Sequence, residues 1–556
     1  MLSNHIDSEE LTRAIVSKIH KTPISHNDVN ISQYDSESLI PYYDIPKNST
    51  DGKLISKYLK EELSLDGNPI LNLASFVNTH IDNVALDLVS DNLVKNLADN
   101  DEYPTLIEYQ ERCITMLGNL WHAPKKYNNL KKRQLPTSLG CPTTGSSEAI
   151  MLAGLAMKRN WSSKRKAQGK SCDNPNILMA TCAQVALEKF ANYFEVENRL
   201  IEITSESGHL IDLTKIKENI DENTIGIFVI MGSTFTGSFE PVEKINHLLD
   251  DIEKETGHDI KIHVDGASGG FVAPFLYPNL KWDFRNDRVV SINTSGHKFG
   301  LTTAGLGWVI WRSIEYLPES LRFKLDYLGG VEETFSLNFS RPGFPVIHQY
   351  YNLLTFGIDG YTKIFENCHR NARILSKFLV ESSYFDVLSV IHEPAKSGTY
   401  SGTGKPSYNE KFEPGLPVVS FKFSESFIKD YPEIPQSILS LLLRNKGFIV
   451  PNYHLPPSEN STEILRVVVK QNLSLNLLEK LMQDIIKNTE LLIESCKSVR
   501  DFVSLQKTGD LDHELVYDLL CSIASNGIEE LKEIKSKILD EKKGKKDKKT
   551  SYRGAC

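Results

Sequence analysis

Residues 260–270 read IKIHVDGASGG, and residues 289–298 read VVSINTSGHK. Each stretch is a short apolar run that ends abruptly in small and polar residues. Such runs are typical of strands that are buried on both faces of a parallel sheet. Because ligands of open parallel sheets bind beyond the carboxyl ends of the strands, we expect the residues that end the two runs to form part of a binding site.

The same pattern extends to both sides of these two strands. Further apolar runs occur at 177–180, 225–231 and 306–311, and helical patterns occur at 148–161, 186–194 and 242–256. This alternation predicts an α/β fold, in which a mostly parallel sheet is covered by helices on both faces. After about residue 345, helical patterns mix with apolar runs at 418–423 and 465–469, which predicts a separate small α+β domain.

The length of the chain predicts several structural parts, because 556 residues exceed what one compact core accommodates. We expect five parts along the chain. They are an N-terminal helical segment (1–110), a large domain (111–345), a small C-terminal α+β domain (346–500), a C-terminal helical extension (501–540) and a lysine-rich disordered tail (541–556).

Composition excludes several classes of protein. The net charge of -9 argues against a general nucleic-acid-binding protein, which usually carries a basic face. No apolar run approaches the roughly 18 residues that cross a bilayer, and the polar N-terminus resembles no signal peptide. The eight cysteines are scattered without a Cys-x-x-Cys pair, which is typical of a reduced protein without a zinc framework. We therefore expect a cytoplasmic protein with no metal, no membrane span and no nucleic-acid partner.

Four strand ends carry side chains that suit a cofactor with an aldehyde and a phosphate group. They present Gln184, Thr234, Asp265 and the sequence SGHK at 295–298. Pyridoxal 5′-phosphate (PLP) needs a lysine amine for a Schiff base, which Lys298 supplies. Its pyridine nitrogen stays protonated beside a buried carboxylate, and Asp265 suits that role.

The PLP phosphate needs N–H and hydroxyl donors at the start of a helix. The sequence TGSSE at 144–148 opens the helix predicted at 148–161, and Ser295 adds a further hydroxyl. Taken alone, each signal has an ordinary explanation: an exposed lysine after a strand, an aspartate that caps a turn, or a plain helix cap. Together, in order and at consecutive strand ends, the signals are far more specific for PLP.

Two motifs carry a family resemblance. The sequences HVDGASGGF at 263–271 and SGHKFG at 295–300 resemble the signature of PLP-dependent amino acid decarboxylases, and the match to the glutamate decarboxylases of this group is strongest. Supporting segments are LDGN at 65–68, LWHAP at 120–124, TGSSEA at 144–149, DYLGG at 326–330 and NFSRP at 338–342. The resemblance runs from about residue 60 to 490. It implies a fold-type I, PLP-dependent transferase-like architecture with a large seven-stranded PLP domain and a small C-terminal domain.

The resemblance also implies a role for each residue that matches a family motif. The catalytic residues it implies are Lys298, Asp265, His297 and Tyr327, of which Tyr327 lies on a mobile loop that supplies a proton donor. The cofactor-binding residues it implies are Ser146, Ser147, Gln184, Thr234, Asp265, Ser295, His297, Lys298 and, from the neighbouring subunit, Ser340. The substrate-binding residues it implies are Ser75, Phe76, Asn96, Asp99 and Arg466, and Arg466 matches the arginine that clamps the α-carboxylate.

The implied reaction is the decarboxylation of L-glutamate to 4-aminobutanoate and carbon dioxide by a homodimer, or by a higher oligomer built of dimers. Alternatives are a decarboxylase of aspartate, cysteine sulfinate or an aromatic amino acid, a PLP lyase that acts on a phosphorylated amine, or a PLP-binding relative without turnover. The lysine-rich tail is a weak candidate for binding calmodulin or another acidic partner, against the simpler reading of a solvated tail.

Three of the implied site residues have structural alternatives. Arg466 suits a structural salt bridge, and His297 suits a hydrogen-bonded core histidine. Asp99 suits a helix cap, because a carboxylate that faces the glutamate side chain would have to share a proton with it.

Overall fold

The computed structural model describes residues 7, 10–12, 14–15, 43–127, 136–325 and 332–506. The chain divides into two compact units, residues 1–68 and 69–556. The first unit contains helix α1 (Gly52–Leu63), which begins where the Asp51 carboxylate accepts a hydrogen bond from the backbone N–H of Lys53. The predicted tail (541–556) and nearly all of the predicted extension (501–540) lie outside the described residues.

The second unit is built on a sheet of seven strands. After the short antiparallel pair β1 (Lys126–Tyr127) and β2 (Pro136–Thr137), its strands are β3 (Leu139–Thr143), β4 (Asn176–Ala180), β5 (Glu197–Ile201), β6 (Thr224–Ile230), β7 (Ile262–Asp265), β8 (Val289–Ser295) and β9 (Gly307–Trp311). Their order in the sheet is β3-β9-β8-β7-β6-β4-β5. Only β9 runs antiparallel to its neighbours. The predicted mostly parallel sheet is confirmed.

Helices cover both faces of this sheet. They are α2 (Asn83–Ser90), α3 (Pro104–Leu120), α4 (Ser146–Ala167), α5 (Val185–Tyr193), α6 (Val242–Thr256), α7 (Gly269–Leu276) and α8 (Phe344–Ser382). Successive side chains of a strand point to opposite faces. In β9, Val309 and Trp311 pack in a cluster with α4, whereas Trp308 and Ile310 pack in the cluster that includes α3 and α7. The strands are therefore buried on both sides, which explains their continuous apolar sequence.

A second, antiparallel sheet forms the small domain. After the pair β10 (Phe323–Leu325) and β11 (Glu332–Thr334), its strands are β12 (Phe385–Val387), β13 (Val418–Phe423), β14 (Asn452–His454) and β15 (Glu463–Val468), in the order β12-β13-β15-β14. The helices of this part are α9 (Glu425–Asp430), α10 (Gln436–Asn445) and α11 (Leu475–Gln506). Alternate residues of β13 and β15 pack with α10 in one core. The predicted mixture of strands and helices after about residue 345 is confirmed as a second, small antiparallel sheet with its own helices.

An extended segment at 71–79, which we call the strap, joins the two sheets. The Leu73 N–H donates to the carbonyl of Ile449 at 3.0 Å, and the Val468 N–H donates to the carbonyl of Leu73 at 2.8 Å. Five residues later, the Asn78 N–H donates to the carbonyl of His297 at 2.7 Å. The strap therefore connects the small sheet directly to the loop that carries Lys298. Among the described helices, none is long and apolar enough to span a membrane.

Candidate active site

The carboxyl ends of β6, β7 and β8 open into one cavity of about 320 Å³. The lining residues that the sequence predicted as site residues are Ser146, Ser147, Gln184, Thr234, Asp265, Ser295, His297 and Lys298. The structure thus brings together every predicted cofactor-binding residue except Ser340. This convergence follows from the parallel order of the strands, which places successive strand ends at the same edge.

The turn before α4 forms a hydroxyl-lined cradle. Thr143, at the end of β3, pairs with Gly307 of β9, which in turn pairs with Ser295 at the end of β8. This register places the hydroxyl oxygens of Ser146 and Ser295 2.7 Å apart. A Cβ atom on Gly307 would lie 2.4 Å from the carbonyl carbon of Gly145, so only glycine permits this close approach. The first N–H groups of a helix have no partners within the helix, and an anion beside them is stabilised.

Glu148, in the first turn of α4, holds the cradle turn in place. Its buried carboxylate accepts hydrogen bonds from the Thr144 N–H at 2.7 Å and from the Thr144 hydroxyl at 3.0 Å. It also accepts from the N–H of Leu337 at 3.0 Å and from the N–H and side-chain amide of Asn338, both at 3.3 Å. One carboxylate therefore ties the cradle to the segment that leads to Ser340.

Asp265 and Lys298 line the same cavity. One carboxylate oxygen of Asp265, Oδ1, accepts from the Ala267 N–H and from the side-chain amide of Asn293, each at 3.0 Å. Burial lowers the pKa of the Lys298 amine; the charge of Asp265 opposes this shift and that of Arg466 adds to it. A lysine with a lowered pKa carries more of the neutral amine, which is the nucleophilic form.

His297 contributes a neutral ring to the cavity. Burial lowers its pKa to about 4, and the neighbouring charge of Lys298 acts in the same direction. The Leu306 N–H lies 3.3 Å from His297 Nδ1 and donates to it, which leaves the ring proton on Nε2. His297 is therefore hydrogen-bonded as a core histidine would be, and it also faces the cavity.

Gln184 and Thr234 are held by backbone contacts at the rim. The side-chain oxygen of Gln184 caps α5 by accepting from the Ala186 N–H at 2.7 Å. The carbonyl oxygen of Thr234 accepts from Arg466 Nη1 at 2.6 Å and from the Tyr453 hydroxyl at 3.3 Å. The small domain thus contacts the cavity through the backbone of Thr234.

Arg466, on β15, is a buried cation beside Lys298. Its second terminal nitrogen, Nη2, donates to the carbonyl of Ala74 in the strap. Its guanidinium carbon lies 4.9 Å from the centroid of the Phe76 ring, and Lys298 Nζ lies 5.8 Å from the same centroid. Burial lowers the pKa of Arg466. Among the described residues no carboxylate forms an ion pair with it, and its Nε–H has no partner, so the structure does not support a salt bridge for this residue.

Ser75 lies next to this cluster in the strap, where its hydroxyl accepts from the Val77 N–H at 3.1 Å. Asn96 and Ser340 meet elsewhere: the Asn96 side-chain amide donates to the Ser340 hydroxyl at 3.3 Å, and Asn96 forms a bridge with Pro342. Neither residue lines the cavity of its own chain.

Asp99 and Tyr327 complete the predicted set. Asp99 accepts with its backbone oxygen from the N–H of Tyr103, which is the residue that precedes α3. Asp99 is therefore not the cap of that helix, and it does not line the cavity. Tyr327 lies outside the described residues.

Sequence reasoning missed several residues that support the site. Asn293 holds Asp265, Asn78 joins the strap to the Lys298 loop, and Tyr453 shares the Thr234 carbonyl with Arg466. One signal was available for Asn293: polar residues occupy the alternate positions 291, 293 and 295 of a fully buried strand, which places them on one face of the sheet. Asn78 and Tyr453 gave no such signal, because their partners lie more than 200 residues away.

The contents of the cavity fit PLP. A lysine amine, a carboxylate held by two donors and a pair of touching hydroxyls at a helix start surround a space that suits a small cofactor. Within the described ranges, no group of three His, Cys, Asp or Glu residues is arranged to hold a metal ion.

Comparison with known proteins places these features in a family. The pyridoxal-dependent decarboxylase conserved domain matches residues 64–396. A glutamate decarboxylase of Saccharomyces cerevisiae is 45% identical over 552 residues, which cover 95% of this chain and 92% of the relative. A glutamate decarboxylase of Petunia hybrida is 44% identical over 469 residues, which cover 84% and 87%. The solved structure of a Lactobacillus brevis glutamate decarboxylase has a TM-score of 0.72 at 35% identity, covering 81% of this chain and 95% of that one.

Proposed function

The chain belongs to the pyridoxal-dependent decarboxylase family, and we propose that it converts L-glutamate to 4-aminobutanoate and carbon dioxide with PLP attached to Lys298. The observation that carries this proposal is a buried cation, Arg466, which no described carboxylate neutralises and which shares the Phe76 ring with Lys298. Such a cation is a binding group for a substrate carboxylate. The two similar relatives are both glutamate decarboxylases, which supports glutamate over aspartate, cysteine sulfinate or an aromatic amino acid.

The cofactor region supplies attachment and charge. PLP, when bound, accepts the electron pair that remains when the bond between Cα and the carboxylate breaks. Asp265 holds the proton on the pyridine nitrogen by charge pairing. Lys298 supplies the amine that carries the cofactor, and its lowered pKa favours the neutral form that attacks. The same amine would take back the cofactor when the product leaves.

The hydroxyls and N–H groups of the cradle bind the phosphate. Ser146 and Ser295 already lie at hydrogen-bond distance from each other, and Ser147 adds a third hydroxyl at the start of α4. This arrangement places negative charge at the positive end of the helix dipole. His297, Gln184 and Thr234 then surround the ring of the cofactor.

Arg466 orients the substrate. With PLP bound, Arg466 would hold the α-carboxylate of the substrate in one fixed orientation, in which the cofactor would accept the electrons of the bond that breaks. An arginine fixes that orientation better than a lysine, because its planar fork can bind both carboxylate oxygens. Arg466 is itself fixed by the carbonyls of Thr234 and Ala74, and its buried Nε–H has no partner among the described residues.

The far end of the substrate requires a second subunit in this proposal. Arg466 and the strap residues Ser75 and Phe76 do not line the cavity, but Arg466 and Lys298 share the Phe76 ring within one chain. Asn96, Asp99 and Ser340 do not line the cavity either, and in the described part of the chain no hydrogen bond joins them to this cluster. We infer that a homodimer shares its sites and that the neighbour contributes these three residues. We also propose that Tyr327 donates a proton to Cα, that the protein is cytoplasmic, and that the lysine tail is at most a weak site for calmodulin or another acidic partner.

An assay of the purified protein with four substrates tests the function. Carbon dioxide and amine are measured with L-glutamate, L-aspartate, cysteine sulfinate and L-tryptophan, each with Lys298→Ala as the inactive control. We expect release from L-glutamate, faster than from the others by about a hundredfold or more, since a side chain that leaves buried polar groups unpaired is strongly rejected. Release from another acid without release from L-glutamate would contradict the proposal.

A further inference from the structure

Asp265 and three buried polar side chains behind it, Asn293, His263 and Ser291, form a continuous hydrogen-bonded row, which we call the polar row. The Asn293 side-chain amide donates to Asp265 Oδ1 at 3.0 Å. The side-chain oxygen of Asn293 lies 2.8 Å from His263 Nε2, and His263 Nδ1 lies 2.8 Å from the Ser291 hydroxyl. All four residues are at most 4% exposed. The polar row therefore runs from the cavity into the interior of the sheet without contact with bulk water.

The polar row has a single direction. A carboxylate only accepts hydrogen bonds, so Asn293 must turn its nitrogen toward Asp265 and its oxygen toward His263. His263 then carries its proton on Nε2, and its Nδ1 accepts from the Ser291 hydroxyl. Burial lowers the pKa of His263 to about 4, although the charge of Asp265 acts in the opposite direction. The ring is therefore neutral at neutral pH, and every donor in the row points toward Asp265.

The two oxygens of Asp265 have different surroundings. Oδ1 accepts both hydrogen bonds, from Asn293 and from the Ala267 N–H. Within the described part of the chain, no hydrogen bond reaches Oδ2. Hydrogen bonds to a carboxylate favour its ionised form, and a chain of aligned hydrogen bonds in a low dielectric strengthens each member.

We propose that Asn293 and His263 are positioning residues for the cofactor: they hold Oδ1 of Asp265 and so turn Oδ2 toward the pyridine nitrogen of PLP. This inference rests on the proposed function, which assigns Asp265 to that nitrogen. A structural role alone gives a weaker account of the row, because apolar side chains of similar shape would fill the same space without the cost of burying polar groups. The other charged or titratable groups near Asp265 are Lys298 and the buried Glu240.

A graded set of variants tests the polar row. Three variants interrupt the polar row at increasing distance from the cofactor, in the order Asn293→Leu, His263→Phe and Ser291→Ala. Thr294→Val is the matched control, since Thr294 follows Asn293 in β8, is equally buried, and has a hydroxyl without a partner. The dissociation constant for PLP is measured by titrating the apoprotein, and the visible absorbance of the reconstituted protein is recorded between pH 5 and 9, a range wide enough to span its titration.

We expect the effect to fall with distance from Asp265. Asn293→Leu weakens PLP binding by about tenfold and shifts the pH midpoint of the visible absorbance, because one charge-assisted hydrogen bond is lost. His263→Phe weakens binding by about threefold, and Ser291→Ala and Thr294→Val each change it by less than about twofold. His263→Gln, whose side-chain amide can still donate to Asn293, recovers part of the loss.

Two outcomes separate this inference from the proposed function. If Asp265→Asn weakens PLP binding but Asn293→Leu behaves like Thr294→Val, the polar row has no positioning role and the proposed function stands. If Asp265→Asn changes neither binding nor absorbance, the assignment of Asp265 in the proposed function is wrong. If Asn293→Leu does not fold, His263→Phe decides: binding and absorbance equal to those of Thr294→Val would overturn the inference.

Discussion

The cofactor region and the substrate region of this protein are built in different ways. The cofactor region, residues 144–148, 265 and 295–298, comes from neighbouring strand ends of one sheet and closes around a single cavity. The substrate region, residues 75–76, 96–99 and 466, comes from the strap, a loop before α3 and the small domain. Only part of it reaches the neighbourhood of Lys298 within one chain.

This difference reflects what each region has to do. A cofactor that stays bound needs fixed groups, and a parallel sheet supplies them at one edge because its strands are buried and rigid. A substrate that enters and leaves needs groups on parts that can move relative to that edge. The strap couples such parts to the edge, since it is hydrogen-bonded both to the small sheet and to the Lys298 loop.

The largest effect is expected at the centre of the cofactor region. Lys298→Ala removes the amine that attaches PLP, so the visible absorbance of the holoenzyme should be lost and turnover should fall by at least about a thousandfold. Absorbance and carbon dioxide release measure the two effects. Lys281→Ala, a lysine in an ion pair with Glu243 far from the cavity, is the control. An unchanged spectrum in Lys298→Ala would remove the basis for treating 295–298 as part of the cofactor region.

The next largest effect is expected in the substrate region. Arg466→Lys keeps the charge but loses the planar fork, and it leaves the carbonyl of Thr234 or Ala74 without its donor. We expect kcat/KM for L-glutamate to fall by about a hundredfold while the affinity for PLP changes by less than about threefold.

Steady-state kinetics and cofactor titration measure these two quantities for Arg466→Lys, and Arg444→Lys on the exposed face of α10 serves as the control. A larger loss of PLP affinity than of kcat/KM would place Arg466 in the cofactor region, and the proposed division between the two regions would then be wrong.

The two regions also differ in how far the sequence predicts them. Five of the seven strands of the large sheet, and the cavity at its edge, follow from apolar runs with polar ends, because a parallel sheet brings consecutive strand ends together. The strands β3 and β5 are not predicted, because their sequences LGCPT and ENRLI contain no such run. Asp265 and Lys298 are 33 residues apart and are placed by this rule alone. The sheet position of β9 is not predicted in this way, since its antiparallel direction depends on a loop between β8 and β9.

Contacts in the substrate region depend on pairs that no local pattern reveals. Arg466 donates a hydrogen bond to the carbonyl of Ala74, almost 400 residues earlier in the chain. The sequence around either residue does not predict this contact. The family resemblance supplies Arg466 as a candidate, but its two backbone partners come only from the structure. The role of Glu148 is not predicted for a related reason. A glutamate in the first turn of a helix is already explained by the helix dipole, so the sequence gives no indication of its five hydrogen bonds to other groups.

Glu148→Gln tests whether the cofactor region depends on the hydrogen bonds that the Glu148 carboxylate accepts. In the glutamine variant, an NH2 group replaces one of the two carboxylate oxygens. This NH2 group cannot accept a hydrogen bond, so at least one bond from Thr144 or Asn338 should be lost. We expect PLP affinity to fall by about tenfold, with a smaller change in KM for L-glutamate. Glu188→Gln, in the first turn of α5, is the matched control. Equal affinities in the two variants would show that the cradle needs only the hydroxyls and the helix start.

The smallest effect is expected at Ser340, where the two regions meet across subunits in the proposed dimer. Ser340 is exposed, and within its own chain its hydroxyl contacts Asn96 rather than the cradle. If the neighbour's phosphate is its partner, Ser340→Ala should weaken PLP binding by about threefold, because water at this exposed position replaces most of the lost hydroxyl-to-phosphate hydrogen bond. Thermal stability should not fall. The dissociation constant for PLP measures the first effect and a melting curve the second.

Mixed dimers decide which chain supplies the Ser340 hydroxyl. A Ser340→Ala subunit paired with a Lys298→Ala subunit contains one working lysine, and the Ser340 that reaches it comes from the Lys298→Ala partner. Its PLP affinity should equal that of wild type paired with Lys298→Ala, because the hydroxyl is supplied from the other chain. A threefold loss that persists in the mixed dimer would mean that Ser340 acts within its own subunit, and the cofactor region would then need no hydroxyl from the neighbour.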